Sequence, residues 1–144
     1  EALEKGNYNY LDRSKMSPRE SLMAAYDADI FLSSANAVTN DGILINIDGN
    51  SNRVSCIAQG PRKVVFIVGI NKVCSDLDSA MKRARNVAAP VNAQRFDLNI
   101  PCRETGKCFD CKSMDTICCQ FLITRFSRHT DRIHVILVND TLGY

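Results

Sequence analysis

Five of the chain's seven cysteines fall within "PCRETGKCFDCKSMDTICC", residues 101–119. They read Cys102-x5-Cys108-x2-Cys111-x6-Cys118, with Cys119 directly after. A C-x2-C pair points two sulfurs to one side of a turn. Two further cysteines complete the four-thiolate set that zinc or an iron–sulfur cluster takes. Lys107 and Lys112 add positive charge beside it, which favours thiolate. The spacing matches neither the bacterial ferredoxin run nor a zinc ribbon of two C-x2-C pairs. Three chemistries therefore stay open for Cys102, Cys108, Cys111 and Cys118: a bound zinc ion or cluster, free or redox-active thiols, and a disulfide. Cys119, Cys56 and Cys74 read as small buried residues. The odd total, clustered instead of spread, fits a reducing, intracellular compartment better than a disulfide framework.

A second group is polar. Asn36, Thr39, Asp48, Asn52 and Arg53 crowd one stretch, and Asn71 and Lys72 follow an apolar run. As a site they would hold an anionic small molecule, with loop amides and Asn36 on its polar groups, Arg53 near a helix N-terminus on phosphate or carboxylate, and Lys72 as anchor. The competing reading has the asparagines and Asp48 satisfying turn backbone, Arg53 in a structural ion pair and Lys72 in solvent. Lys82, Arg83 and Arg85 read as a solvated helix face. His129 sits in an exposed turn, and His134 in a strand reads as hydrogen-bonded structure. No Ser/His/Asp order, carboxylate pair, P-loop or G-x-G-x-x-G is present.

These residues need elements to place them. "SPRE" carries a capping box, Ser17 with Glu20, and Pro18 at the first helical position, so a helix starts there. "DIFLSSA" reads as a buried strand. Asn40-Asp41-Gly42 is a tight turn into "ILINID", which gives a hairpin-like unit. "SNRVSCIAQG" reads as a short helix stopped at Gly60 and Pro61, and "KVVFIVG" as a central strand. Leu77, Ala80, Met81, Ala84, Val87 and Ala88 recur at helical spacing, which predicts a helix over Asp76 to Ala89 that Pro90 ends. "CCQFLITRF" and "RIHVILVN" read as strands, expected as antiparallel neighbours. Strands alternating with helices predict an α/β fold with a mostly parallel centre and a terminal strand pair. Ligands then belong beyond the strand carboxyl ends, at "ANAVTNDG" and "INKV".

The bulk properties bound the rest. At 144 residues the chain is expected to form one domain, and 45% hydrophobic with 24% charged residues is ordinary for a water-soluble protein. The net charge of +2 gives no bias toward nucleic acid. The longest apolar run, "VVFIVGI", is far short of the roughly 18 residues a membrane span needs, so no membrane partner is expected. "EALEKGNYNYLDRSK" opens without methionine in what reads as the middle of a helix, as in a fragment or processed form.

"SSANAVTNDGILINIDGNSNRV", "GPRKVVFIVGINKV", "RARNVAAPVNAQR", "PCRETGKCFDC" and "RIHVILVN…LGY" occur in that order. Together they resemble the LUD domain, the lactate-utilization family, across almost all of residues 1–144. The resemblance implies a fold like the ribose-phosphate isomerase and CoA-transferase superfamily. It also implies that this chain matches the C-terminal two thirds of a domain whose further N-terminal piece brings a glycine- and serine-bearing loop to the same cleft. A sheet lacking neighbouring strands has an open edge, which a homodimer would cover. By resemblance the protein is a cytoplasmic accessory or ligand-binding component of organic-acid utilization, working with other lactate-oxidation subunits. Two other classes are kept: a metal or iron–sulfur redox component built on the four cysteines, and a structural subunit.

Overall fold

A computed structural model describes residues 2–144. After a short α1 (Ala2–Lys5) and a 3-10 turn (Arg13–Lys15), α2 (Pro18–Tyr26) begins as its sequence predicts. The Ser17 hydroxyl accepts from Glu20 N, and the Glu20 carboxylate accepts from Ser17 N at 2.9 Å. The chain then runs β1 (Ile30–Ser33), β2 (Ala37–Thr39), β3 (Leu44–Asp48), α3 (Asn52–Ala58) and β4 (Lys63–Gly69). A 3-10 turn (Ile70–Lys72) leads to β5 (Val73–Cys74). α4 (Leu77–Arg83), a π turn (Ala84–Ala88) and α5 (Ala89–Ala93) come next, then α6 (Pro101–Thr105), β6 (Gln120–Thr124) and β7 (Ile133–Val138).

The strands form two sheets. β1, β4 and β7 are parallel, in the order β1-β4-β7. The second sheet has the order β5-β2-β3-β6, with β2–β5 parallel and the β2–β3 and β3–β6 pairs antiparallel. β3 lies between two layers, which is why all five of its residues are buried. Leu44 packs with Ile57, Val64, Phe66 and Val68 on one side. Ile45 and Ile47 pack with Ala80 and Ala84 on the other. The period-2 alternation of a strand delivers side chains to both faces, and here both faces are covered.

The α/β class with a parallel sheet and antiparallel strands is what the chain adopts, and the β2–β3 hairpin turns at Gly42, φ +91°. Two expectations need correction. β6 and β7 are not paired: β6 runs antiparallel beside β3 and β7 parallel beside β4. The connection over residues 125–132 crosses from one sheet to the other instead of closing a hairpin. Pro90 does not end its helix either. The helix continues to Ala93, with Ala89 N–H reaching back to the Ala84 carbonyl across the wide π turn. A π turn loosens the ladder where proline removes a donor, so the chain continues helically past it.

One face of the parallel sheet lies open. Leu32 pairs with Val65 and Ile67 with Ile136; Leu32, Ile67 and Ile136 are 45%, 41% and 51% exposed. Val135 and Leu137, on the opposite face of edge strand β7, are exposed too.

Candidate functional site

Three parallel strands deliver their carboxyl ends to one place: Ser34 and Asn36 follow β1, the Ile70–Lys72 turn follows β4, and residues 140–144 follow β7. Lys72 is 5% exposed, and its Nζ donates to Ser34 Oγ at 3.2 Å. That hydroxyl is the only hydrogen-bond partner its ammonium has among the described residues, and no carboxylate pairs with it. Burial lowers its pKa, and the nearby Arg83 and Arg53 lower it further.

The two arginines are already engaged. Arg53 donates from Nη1 to the Ser34 carbonyl at 3.3 Å, and from Nη2 to Asn36 Oδ1 at 3.1 Å and the Ile47 carbonyl at 2.6 Å. Arg83 donates from Nε to the Asn71 carbonyl at 3.0 Å and from Nη1 to the Asn36 carbonyl. Burial lowers the pKa of both. The nearest carboxylate, Asp48, lies 4.0 Å from Arg53 Nε and is itself occupied, accepting from Asn50 N, Arg53 N and Val54 N at 3.1, 3.0 and 3.2 Å. It caps α3 from four residues upstream, since Ser51, at φ 61°, makes no side-chain cap. Lys72 thus has a single hydroxyl as partner, where the two guanidiniums each reach carbonyls.

Of the residues singled out in sequence, Asn36, Asp48, Arg53, Asn71 and Lys72 meet here. Thr39 does not: its hydroxyl bonds Asp41 and accepts from Ile43 N, closing the hairpin turn. Asn52 is exposed on the first turn of α3 and stands apart. Arg53 points at the carbonyls of Ser34 and Ile47. Arg83 reverses the expectation of a solvated face, while Lys82 is exposed as expected. The signal for Arg83 was its position between Ala80 and Ala84, both fully buried. Asn46 was missed as well. It is buried on the strand between Leu44 and Asp48, its Nδ2 donates to the Ser34 carbonyl at 3.0 Å, and its Oδ1 has no partner.

Residues 140–144 lie over this ground as a strap. Asn71 holds it at two points, donating from Nδ2 to the Gly143 carbonyl at 3.2 Å and accepting from Leu142 N at 3.3 Å. Tyr144 OH donates to Asn92 Oδ1 at 2.8 Å. Gly69 lets the strap approach. A Cβ there would sit 2.6 Å from Leu142 N and 2.7 Å from the Asp140 carbonyl, and would strike Asn71 Oδ1 as well.

Half a turn further along the same helix, Arg85 faces the cysteines. Cys102, Cys108, Cys111 and Cys118 line one small hollow of about 30 Å³ with Arg85 and Phe121, and all seven cysteines are free thiols. Arg85 Nη2 is 3.7 Å from Cys108 Sγ and 2.7 Å from Asp110 Oδ1. Burial, then the neighbouring Cys108, Cys102 and Cys111, pushes the Cys118 thiol up to about 11; burial raises Cys102 too. Among the described residues no three Cys, His, Asp or Glu side chains are set to share a metal ion as placed. Cys56 is buried and Cys74 half-buried, as expected, but Cys119 is exposed. His134 Nε2 is 3.0 Å from the Asp131 carbonyl, a structural contact, and His129 is exposed.

A hollow of about 480 Å³ lies away from both places, between the end of β6 and the start of β7. It is a wide groove. Arg132 in its wall donates to the carbonyls of Ile57, Cys56 and Pro61, at 2.8, 3.2 and 3.3 Å, so its guanidinium serves the end of α3.

The family model described as "LUD domain" matches residues 1–138. The chain belongs to the LUD-domain family. Comparison with curated proteins and with solved structures found no match. Membership of the LUD family ties the chain to lactate utilization in general terms. Among the described residues, no helix of this LUD domain is long and apolar enough to cross a membrane.

Proposed function

We propose that the protein binds a small carboxylate- or phosphate-bearing anion beside Lys72 and serves lactate utilization as a ligand-binding component. The observation that carries this reading is the state of Lys72. An ammonium in a nearly dry site, with one hydroxyl for partner and two guanidiniums nearby, is costly to keep charged. An anion that reaches Nζ offsets that cost through charge-assisted hydrogen bonds. Position supports the same reading, because ligands of parallel α/β sheets lie beyond the strand carboxyl ends. Lactate as the metabolite rests on family membership. Entry runs past the strap of residues 140–144, which covers Lys72.

Isothermal titration of the protein with lactate, pyruvate and inorganic phosphate tests the reading, with Lys72→Met as the comparison. Binding of at least one of these anions, weakened about 10-fold or more by Lys72→Met, is the expected result. Failure of all three to bind, or equal binding by the variant, removes the proposal. A deletion strain that grows normally on lactate would remove its metabolic half.

A further inference from the structure

We propose that Cys102, Cys108, Cys111 and Cys118 form a site for a single soft divalent cation, zinc, and that the ion organises residues 99–119. The site is separate from Lys72 and does not depend on the anion.

The first observation is convergence. Four thiols arrive from three segments, the first turn of α6, the loop after it and the approach to β6, and line one hollow. At about 30 Å³ it has room for about one water molecule, the scale of a mononuclear ion.

The second is the local geometry of the C-x2-C turn. Asp110, between the two cysteines, takes φ 52°, a left-handed conformation uncommon outside glycine, and its N–H points at Cys108 Sγ from 3.5 Å. The Arg85 guanidinium approaches the same sulfur. N–H donors aimed at a sulfur orient a thiolate ligand and offset its charge. With four thiolates on a dication the site keeps two negative charges, and Arg85 lies against it to balance one. Each thiol gives its proton to solvent on binding, so no oxidant or reductant enters.

The third is the poverty of other support. Residues 99–119 hold one short helix, and their core is Ile100 and Cys102 with Ala93, packed by Leu98, Cys111 and Ile117. Phe109 and Met114 face solvent. So little apolar burial does not offset the entropy of ordering an irregular segment, which is where small folds use a metal or another cross-link. The sulfurs line the hollow without meeting, so binding closes the loop until all four lie about 2.3 Å from the ion.

Cobalt(II), added to protein purified under reducing, chelator-free conditions, is the probe. Expected are visible absorption bands of tetrahedral thiolate cobalt, saturating near about one equivalent per chain and erased by zinc. Cys108→Ser with Cys111→Ser should weaken binding about 100-fold, and Cys119→Ser should leave it unchanged. In case the double variant misfolds, mass spectrometry of alkylated wild-type protein gives a second reading. Zinc should protect Cys108 and Cys111 from labelling, and a chelator should restore it. No tetrahedral spectrum, binding indifferent to the double substitution, absence of protection, or a brown iron–sulfur chromophore in anaerobic protein would each overturn the proposal.

Discussion

The buried ammonium of Lys72 sets a pH response of its own. Its pKa is lower in the fold than in the unfolded chain, where it is near the ordinary 10.5. Between the two values the unfolded chain holds the extra proton, so stability rises with pH through that window. Lys72→Met removes this slope and raises stability near neutral pH by about 1–2 kcal/mol, even as it weakens anion binding. Denaturant titrations at about pH 7 and about pH 10 read both effects. A lysine kept only for structure would give the opposite sign. Substitution of Asp48 has the opposite effect on stability. Its carboxylate satisfies three backbone donors at the turn and the start of α3, so Asp48→Ala strands them and costs about 2–3 kcal/mol in the same measurement.

Elements carry the next two expectations. Gly69 has φ −71°, which any residue adopts, so what it provides is space against the strap. Gly69→Ala pushes residues 140–142 off the β4 end. Amide exchange in Leu142 should rise while the β4 core stays protected. At the start of α4, Asp76 is held at about 2 by the Ser75 hydroxyl first and then by Ser79, against 3.8 ordinarily. A depressed carboxyl contributes stability that is whole above its unfolded pKa and is lost as pH falls through the folded one. Helical circular dichroism should therefore decline between about pH 4 and about pH 2, and Asp76→Asn should blunt that decline.

How much the sequence disclosed depends on the reach of each signal. The capping box at Ser17, the hairpin turn at Gly42 and the apolar run of β4 are local, and all three appear where their residues put them. The partners of β6 and β7 are decided by crossovers between sheets, about which "SRHTD" says nothing. The grouping of the four cysteines was legible from spacing. That Arg85 would reach them was not, because a π turn changes the helical phase after Arg83 and has no sequence period of its own. Asn36 and Lys72 were legible as loop residues at strand ends. The inward turn of Arg53 depends on carbonyls of Ser34 and Ile47 that only the folded chain brings near.

Across the whole molecule, the parallel sheet is unusual in having one bare face. Such sheets are ordinarily covered on both sides. Leu32, Val65, Ile67 and Ile136 adjoin in register there. The folded protein should accordingly bind an apolar fluorescent dye, and Ile67→Lys should reduce that fluorescence while leaving the melting temperature within a few degrees, because Ile67 is 41% exposed already. An unchanged dye signal would show that this face is not the apolar surface the dye finds.

Arg83 and Arg85 stand roughly half a turn apart, one reaching the cation-rich ends of the parallel strands and the other the thiol hollow. Both hang from a single shaft. Deleting one residue from Ala84–Ala88 would let the π turn close as ordinary α-helix, with α5 keeping nearly its angle on α4, because the wide turn is an α turn that holds one residue more. Arg85 lies inside that turn and Arg83 directly before it, so a length change there touches the donors of both places. The same linkage makes an indel in that turn a poor tool for separating them, and point substitutions the right one.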